Sequence, residues 1–402
     1  MMQASGTARG TDEWLIEDGT VLAGEGGALR PGALALGGGV VREAARPGAR
    51  RLDAGGLLVL PGIVDIHGDA HERQFQPRPG VALPPALALR DSAAQLLAAG
   101  ITTAFLGVTL SWEPGLRSLQ AWRTLLAGLA ALRATPGGWR GADLRVHLRF
   151  EADNLEALDE AVADIAAGRV HLLAFNDHTP GILRKLGQEA AAAKYAERAG
   201  VSVAAFRALA EAAAARRAGV PAARLRLAAA ARAAGLPIAS HDDATVEERA
   251  MFRALGAGIC EFPMAEAVAE AARAAGEAVV MGAPNVVRGG SHLGWASAAP
   301  LAERGLVTVL ASDYVWPSLL EAAFVLESRG VLDLPAAWAL VSANPAAAAG
   351  LADRGRLSPG LRGDVVLVDP DRRAPVAVFC GGGLAWVAPE AASRLMPMPA
   401  MA

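Results

Sequence analysis

The chain has 402 residues, 53% of them apolar, with a formal net charge of −3 and a sequence pI near 6.2. A chain of this size and apolar content can bury a large core in one barrel domain or two ordinary domains, and its charge gives no global field for nucleic acid or a membrane surface. No basic stretch followed by an apolar one opens the sequence, and no apolar run reaches the roughly 18 residues of a membrane span, so a soluble cytoplasmic protein is expected.

In chain order, "WLIEDGTVLAGEGGALRPGALALGGGVVREA" (14–44) reads as short strands separated by Gly-rich turns. Eight short apolar or β-branched runs follow, alternating with helical patterns: "GIVDIHGD", "ITTAFLGVT", "LRVHLRFE", "VHLLAFNDH", "LPIASHDD", "AGICEFP", "EAVVMGAPN" and "VTVLASDY". This alternation predicts parallel strands, in a (β/α)8 barrel or an open doubly wound sheet. The barrel is favoured because nearly every run carries its polar residues at its C-terminal end, the active-site face of such a fold. The segment from Thr179 to Pro237 exceeds a simple crossover and is Ala-rich with helical spacing, so it predicts extra helices over the barrel mouth. The tail "GRLSPGLRGDVVLVDPDRRAPVAVFCGGGLAWVA" is again β-rich. The predicted organisation is an α/β chain in three parts. Residues 1–60 and 355–402 form a small β-sandwich from both chain ends, and 61–354 form the (β/α)8 TIM-like barrel with a helical insert at about 179–237.

Chemistry-bearing side chains gather at the run ends. In "IVDIHGD" a period of two puts Asp65, His67 and Asp69 on one face, so His67 and Asp69 can approach one ion. Glu151, His178, His241 and Asp313 each end a later run, and a barrel would collect them at the same mouth. Imidazole and carboxylate ligands suit zinc, and the oxygen-rich share suits manganese. His147 and His171 fall earlier in their runs and read as packing residues. Cys260 and Cys380 lie far apart with no CxxC spacing, which supports neither a disulfide scaffold nor a thiolate zinc site.

The leading "LPGIVDIHGD", the later strand-borne histidines, the "SD" of the last run and the "SANPA…GRLSPGLRGDVVLVD" tail resemble the amidohydrolase superfamily of metal-dependent hydrolases over nearly the whole chain. Within it, "HGDAHERQFQPRPGV", "FNDHTPG", "SHDD", "MGAPNVVRGGSH" and "LASDYVWPSLL" resemble the alpha-D-ribose 1-methylphosphonate 5-triphosphate diphosphatases of the carbon–phosphorus lyase pathway. The resemblance implies hydrolysis of that phosphorylated sugar to the 5-phosphate and diphosphate, in phosphonate catabolism, with two divalent cations. It implies the ligand set His67, Asp69, Glu151, His178, His241 and Asp313, with Asp313 also taking a proton from the attacking water. Superfamily members commonly carry HxH on the first strand, and here Asp69 replaces the second histidine. Many also bridge two metals with a carboxylated lysine. The only lysines here, Lys185 and Lys194, fall in the insert, so Glu151 is the natural bridge.

Arg73, Arg78 and Arg288 stand just past run ends, where guanidinium forks can grip a polyphosphate and Gly289 and Gly290 let backbone N–H groups approach it. His292 is a candidate donor to the leaving group, and Tyr314 a candidate for orienting substrate. His71 stands where the family tends to have an apolar residue and is not counted as a ligand, and Trp295 stands where relatives have a small polar one. Two other readings stay open: hydrolysis of a C–N bond, as by a deacetylase or deaminase, and a non-catalytic interaction protein. The arginines favour the phosphate over the amide. A homo-oligomer is compatible with all of these readings.

Overall fold

The computed structural model of the chain describes residues 13–24, 27–136, 138–290 and 296–395. Five strands come first: β1 (Trp14–Ala23), β2 (Ala28–Gly37), β3 (Val40–Arg42), β4 (Arg50–Asp53) and β5 (Leu58–Pro61). Eight strands then alternate with helices: β6 (Ile63–Gly68), β7 (Ile101–Leu110), β8 (Asp143–Glu151), β9 (Leu172–Asn176), β10 (Ile238–His241), β11 (Ile259–Glu261), β12 (Ala278–Gly282) and β13 (Val309–Ala311). The tail adds β14 (Val365–Asp369), β15 (Ala374–Cys380) and β16 (Gly383–Val387).

Strands β6 to β13 pair in sequence order and in parallel throughout. An open doubly wound sheet reverses its strand order at a switch point. Here the order never reverses, and the first strand meets the last at the Gly68–Asp313 bridge, so the sheet is a (β/α)8 barrel. All ten residues of β7 are buried, as expected of a parallel strand covered on both faces. Inside the barrel Val64, Ile66, Phe105, Leu172, Ala239, Val280 and Val309 pack together. Outside it, Leu106, Leu148 and Phe175 pack with helix residues such as Leu96, Trp122 and Leu129. Each large side chain so buried contributes about 1.5–3 kcal/mol, and the two layers fix the strand ends that carry the polar residues.

The terminal strands form one mixed sheet in the order β16-β15-β14-β5-β1-β2-β3, with β4 also pairing β1. The join between chain ends is the antiparallel pairing of β5 with β14, Leu58–Pro61 against Val365–Val368. Two strands separate β1 from β15, about 14 Å in a flat sheet, yet the Trp14 and Phe379 rings are 5.3 Å apart. The sheet therefore curls around its own core of Ile16, Leu36, Val59, Val365 and Leu367, separate from the barrel.

The insert forms helices Thr179–Lys185, Glu189–Ala199, Val203–Ala214 and Val220–Ala233. Ile182, Ala196, Phe206 and Ala210 make a separate apolar cluster under it. Ion pairs tie it to the C-terminal strand ends: Arg217 to Asp153 (2.8 Å) and Asp177, and Arg224 to Asp177 (2.8 Å). Lys185 and Lys194 both lie on insert helices, so no barrel strand carries a lysine. No helix of the described residues is long and apolar enough to cross a membrane. Cys260 and Cys380 are both free.

Candidate active site

The seam of the barrel opens the site. Asp65 on β6 is fully buried and accepts from the Ser312 hydroxyl at 2.6 Å and the Ser312 backbone N–H at 3.2 Å, joining first strand to last. Burial outweighs these bonds and raises its pKa to about 6. Two residues on, the Asp313 N–H donates to the His67 carbonyl (3.0 Å) and the Asp69 N–H donates to the Asp313 carbonyl (2.8 Å). The backbone thus sets His67, Asp69 and Asp313 side by side, although 247 residues separate the joined Asp65 and Ser312.

On β8 the two-residue period aims His147, Arg149 and Glu151 into the barrel, while Leu148 and Phe150 join the outer apolar layer. Glu151 is buried in a dense cradle. Its Oε1 accepts from the backbone N–H groups of His178 (2.8 Å) and Thr179 (3.1 Å) and from the Thr179 hydroxyl (3.1 Å). Its Oε2 lies 3.0 Å from His178 Nδ1. Burial opposes the charge on Glu151, but the bonds and charge of His178 outweigh it and hold the carboxyl below its ordinary range. His178 answers in kind: burial opposes its charge, and Asp242 and Glu151 raise its pKa to about 9.

His241 ends β10 with Nδ1 3.1 Å from Asp242 Oδ2 and Nε2 accepting from the Arg149 Nη2 group at 3.0 Å. His67 Nδ1 lies 3.1 Å from Glu261 Oε2, and His147 Nε2 lies 3.7 Å from the same oxygen. Burial lowers the pKa of His67 and His241, and that of His147 to about 3, so these three rings are neutral near pH 7. The His67 and His241 ring centroids are 5.2 Å apart and those of His178 and His241 5.8 Å. Asp242, Phe262 and Asp313, each at or just after the end of a strand, have φ of 60°, 53° and 55°. Left-handed backbone costs a non-glycine residue about 1–3 kcal/mol, and this strain is concentrated around the site.

The donor set fits divalent cations. Among the described residues Oε1 of the fully buried Glu261 and both nitrogens of His147 lack hydrogen-bond partners, and the 3.1 Å approaches of His67 Nδ1 to Glu261 Oε2 and of His241 Nδ1 to Asp242 Oδ2 do not have hydrogen-bond geometry; buried polar atoms without partners are costly unless something binds them. Among the described residues three groups bring their ligand atoms within 4.8 Å of one another: His67, His241 and Glu261; His178, His241 and Asp242; and Glu151, Asp153 and Asp177. Asp153 and Asp177 of the third group already pair with Arg217 and Arg224 of the insert.

All six residues expected as ligands from the sequence, His67, Asp69, Glu151, His178, His241 and Asp313, fall in this one neighbourhood. Burial and the charge of Asp69 raise the Asp313 pKa to about 7. Arg73, Arg78 and Arg288 are exposed and make no ion pair among the described residues, while Tyr314 is half-buried beside Asp313. His292 and Trp295 lie outside the described residues. His71 is buried against Phe75. His171 packs as expected, its Nδ1 accepting from the Val146 N–H at 3.1 Å. His147 does more than fill space, because it reaches the His67–Glu261 pair.

The sequence reading passed over Glu261, Asp242 and Arg149. Glu261 ends its run as Glu151 does, and the same criterion would have found it. Arg149 was visible as the residue between His147 and Glu151 on one strand face. Asp242 had no such signal, since its role depends on a left-handed turn.

No family model matches the sequence. The chain is 35% identical over 344 residues, 84% of its own length and 90% of the relative's, to alpha-D-ribose 1-methylphosphonate 5-triphosphate diphosphatase of Escherichia coli (strain K12). Among solved structures it resembles molinate hydrolase (TM-score 0.63, 15% identity, 93% of this chain and 94% of that one). It also resembles the beta-aspartyl dipeptidase of Fervidobacterium islandicum AW-1 (0.59, 15%, 94% and 96%) and the N-acetylglucosamine-6-phosphate deacetylase of Thermotoga maritima (0.55, 14%, 93% and 100%). At these identities the structural likeness speaks for the fold.

Proposed function

Because the chain belongs to the alpha-D-ribose 1-methylphosphonate 5-triphosphate diphosphatase family of metal-dependent hydrolases, we propose that it hydrolyses that triphosphate to alpha-D-ribose 1-methylphosphonate 5-phosphate and diphosphate in phosphonate catabolism. The observation that carries this reading is the ring of neutral imidazoles and carboxylates around the buried Arg149 at the barrel mouth.

In this reading His67, Asp69, Glu151, His178, His241 and Asp313 hold two zinc or manganese ions, and Glu261 joins them through its unpartnered oxygens. Bound cations of this kind lower the pKa of water and offset charge on phosphoryl oxygens. Asp313, whose carboxyl is pushed up to about 7 by burial and by the charge of Asp69, takes the proton from water as the oxygen attacks the α-phosphorus. The new P–O bond forms as the bond from the α-phosphorus to the bridging oxygen breaks, and diphosphate leaves with that oxygen. Arg73, Arg78 and Arg288 hold the departing phosphates by charge-assisted hydrogen bonds, Tyr314 orients the sugar, and His292 donates to the leaving group.

Phosphorus NMR of the manganese- or zinc-loaded protein with this triphosphate tests the reading. Diphosphate should appear together with the 5-phosphate, without stepwise orthophosphate. An unreactive triphosphate, with cation binding demonstrated, would move the assignment to C–N bond hydrolysis.

A further inference from the structure

Arg149 is 7% exposed and stands inside the ring of candidate ligands. Its Nη1 is 3.6 Å from Asp69 Oδ2, a loose ion pair, and its Nη2 donates to the neutral His241 ring. Its Nε is buried without a hydrogen-bond partner among the described residues. A guanidinium has five N–H donors in a rigid fork matched to carboxylate or phosphate oxygens, and in this structure one hydrogen bond and one long ion pair use only part of that capacity.

The surroundings do not complete it. The carboxylates of Asp69, Glu261 and Asp313 are within electrostatic reach of Arg149, but among the described residues only Asp69 comes within ion-pair distance, at 3.6 Å, and the hydrogen bonds of Glu151 go to His178 and Thr179. A cation held by His67, Asp69 or His241 would sit beside the guanidinium, and like charges in a poorly hydrated pocket repel strongly. An anion between them relieves that repulsion and supplies the acceptors Arg149 lacks. Arg73, Arg78 and Arg288, by contrast, are exposed, Arg73 on the short helix Glu72–Phe75 and Arg288 at the end of the helix Ala283–Arg288, and exposed charges are hydrated and screened.

We propose that Arg149 is the phosphoryl-binding cation of this site, its guanidinium fork meeting the oxygens of the phosphoryl group that lies against the ligand residues. The inference rests on the phosphate reading above and deepens it. It divides the anion between an inner contact at Arg149 and outer contacts at the exposed arginines, and it makes the site electrostatically incomplete with a neutral amide.

The test measures binding of manganese, by its electron paramagnetic resonance signal, and of inorganic phosphate to the manganese-loaded full chain, by calorimetry. Arg149→Met should keep manganese binding within about threefold of wild type and lose phosphate affinity by roughly 10- to 100-fold, the range for removing charge-assisted hydrogen bonds. Arg149→Lys, which keeps the charge without the fork, guards against misfolding and should fall between the two. Phosphate affinity within twofold of wild type in both variants would overturn the proposal. So would loss of manganese binding in both, which would make Arg149 a support for the ligands. Wild-type hydrolysis of the triphosphate is scored separately: phosphate binding unchanged in both variants beside intact diphosphate release overturns only the role of Arg149. A wild-type protein that neither binds phosphate nor releases diphosphate overturns both readings.

Discussion

Glu261 is fully buried between His67 and His147, and neither carboxylate oxygen is hydrogen-bonded. If its role is to bind or orient at the cation site, Glu261→Gln should weaken manganese binding by about 10- to 100-fold, as losses of supporting residues at metal sites do, with little change in thermal midpoint. Manganese titration of the variant checks this. Asp313→Asn removes the proposed proton acceptor and should lower kcat by roughly 10²- to 10⁴-fold, measured by diphosphate release at saturating manganese. At this scale the sequence was informative where chemistry coincided with strand ends, because a closed barrel brings together residues as remote as His67 and Asp313. It was silent on Asp242, whose placement depends on a φ of 60°, and on the cradle of Glu151, half of which is backbone N–H groups.

Between strand and insert, one chain of hydrogen bonds reaches the site. Trp112 Nε1 donates to the Thr179 hydroxyl at 2.9 Å, and that hydroxyl donates to Glu151. Thr179→Val keeps the shape and removes both bonds. The expected result is about tenfold weaker cation binding with the insert still folded, read by manganese titration beside far-ultraviolet circular dichroism. His171 shows what burial does to an element. Its ring is lowered to about 4 from an ordinary 6.5, chiefly by burial, and accepts from the Val146 N–H. The neutral ring favours the fold, and that contribution, at most about 3 kcal/mol, is complete above pH 6.5 and is lost as pH falls from 6.5 through 4. His171→Asn, which can still accept that bond, should flatten the acid loss of stability across this window in urea denaturation at pH 7 and pH 4.5. The order of strands and helices was legible because buried parallel strands are short apolar runs. The ion pairs of Arg217 and Arg224 were not, since surface arginines on an Ala-rich helix carry no mark of a partner.

The whole molecule depends on two joins between distant parts of the chain. The first pairs β5 with β14, and the sheet curls so that Trp14 meets Phe379. Ending the chain after residue 360 would unpair β5 and uncover Trp14, Ile16 and Val59. Such a chain should be insoluble on expression while the full chain is soluble, and soluble yield decides it. That both ends of the sequence are β-rich was plain, but the antiparallel pairing across some three hundred residues and the curl arise from packing that no local pattern encodes. The second join is the barrel seam, where Ser312 grips Asp65 and the backbones of His67, Asp69 and Asp313 interlock.

The seam also sets when the site can exist. During synthesis Asp65 leaves the ribosome 247 residues before the Ser312 that it must pair with, on the order of 10–50 s at ordinary elongation rates. Throughout that interval the nascent chain has the start of a metal site without its closing strand. The protein thus postpones its capacity for chemistry until the last barrel strand has been made, and a ribosome stalled before Ser312 releases a fragment that cannot assemble the centre.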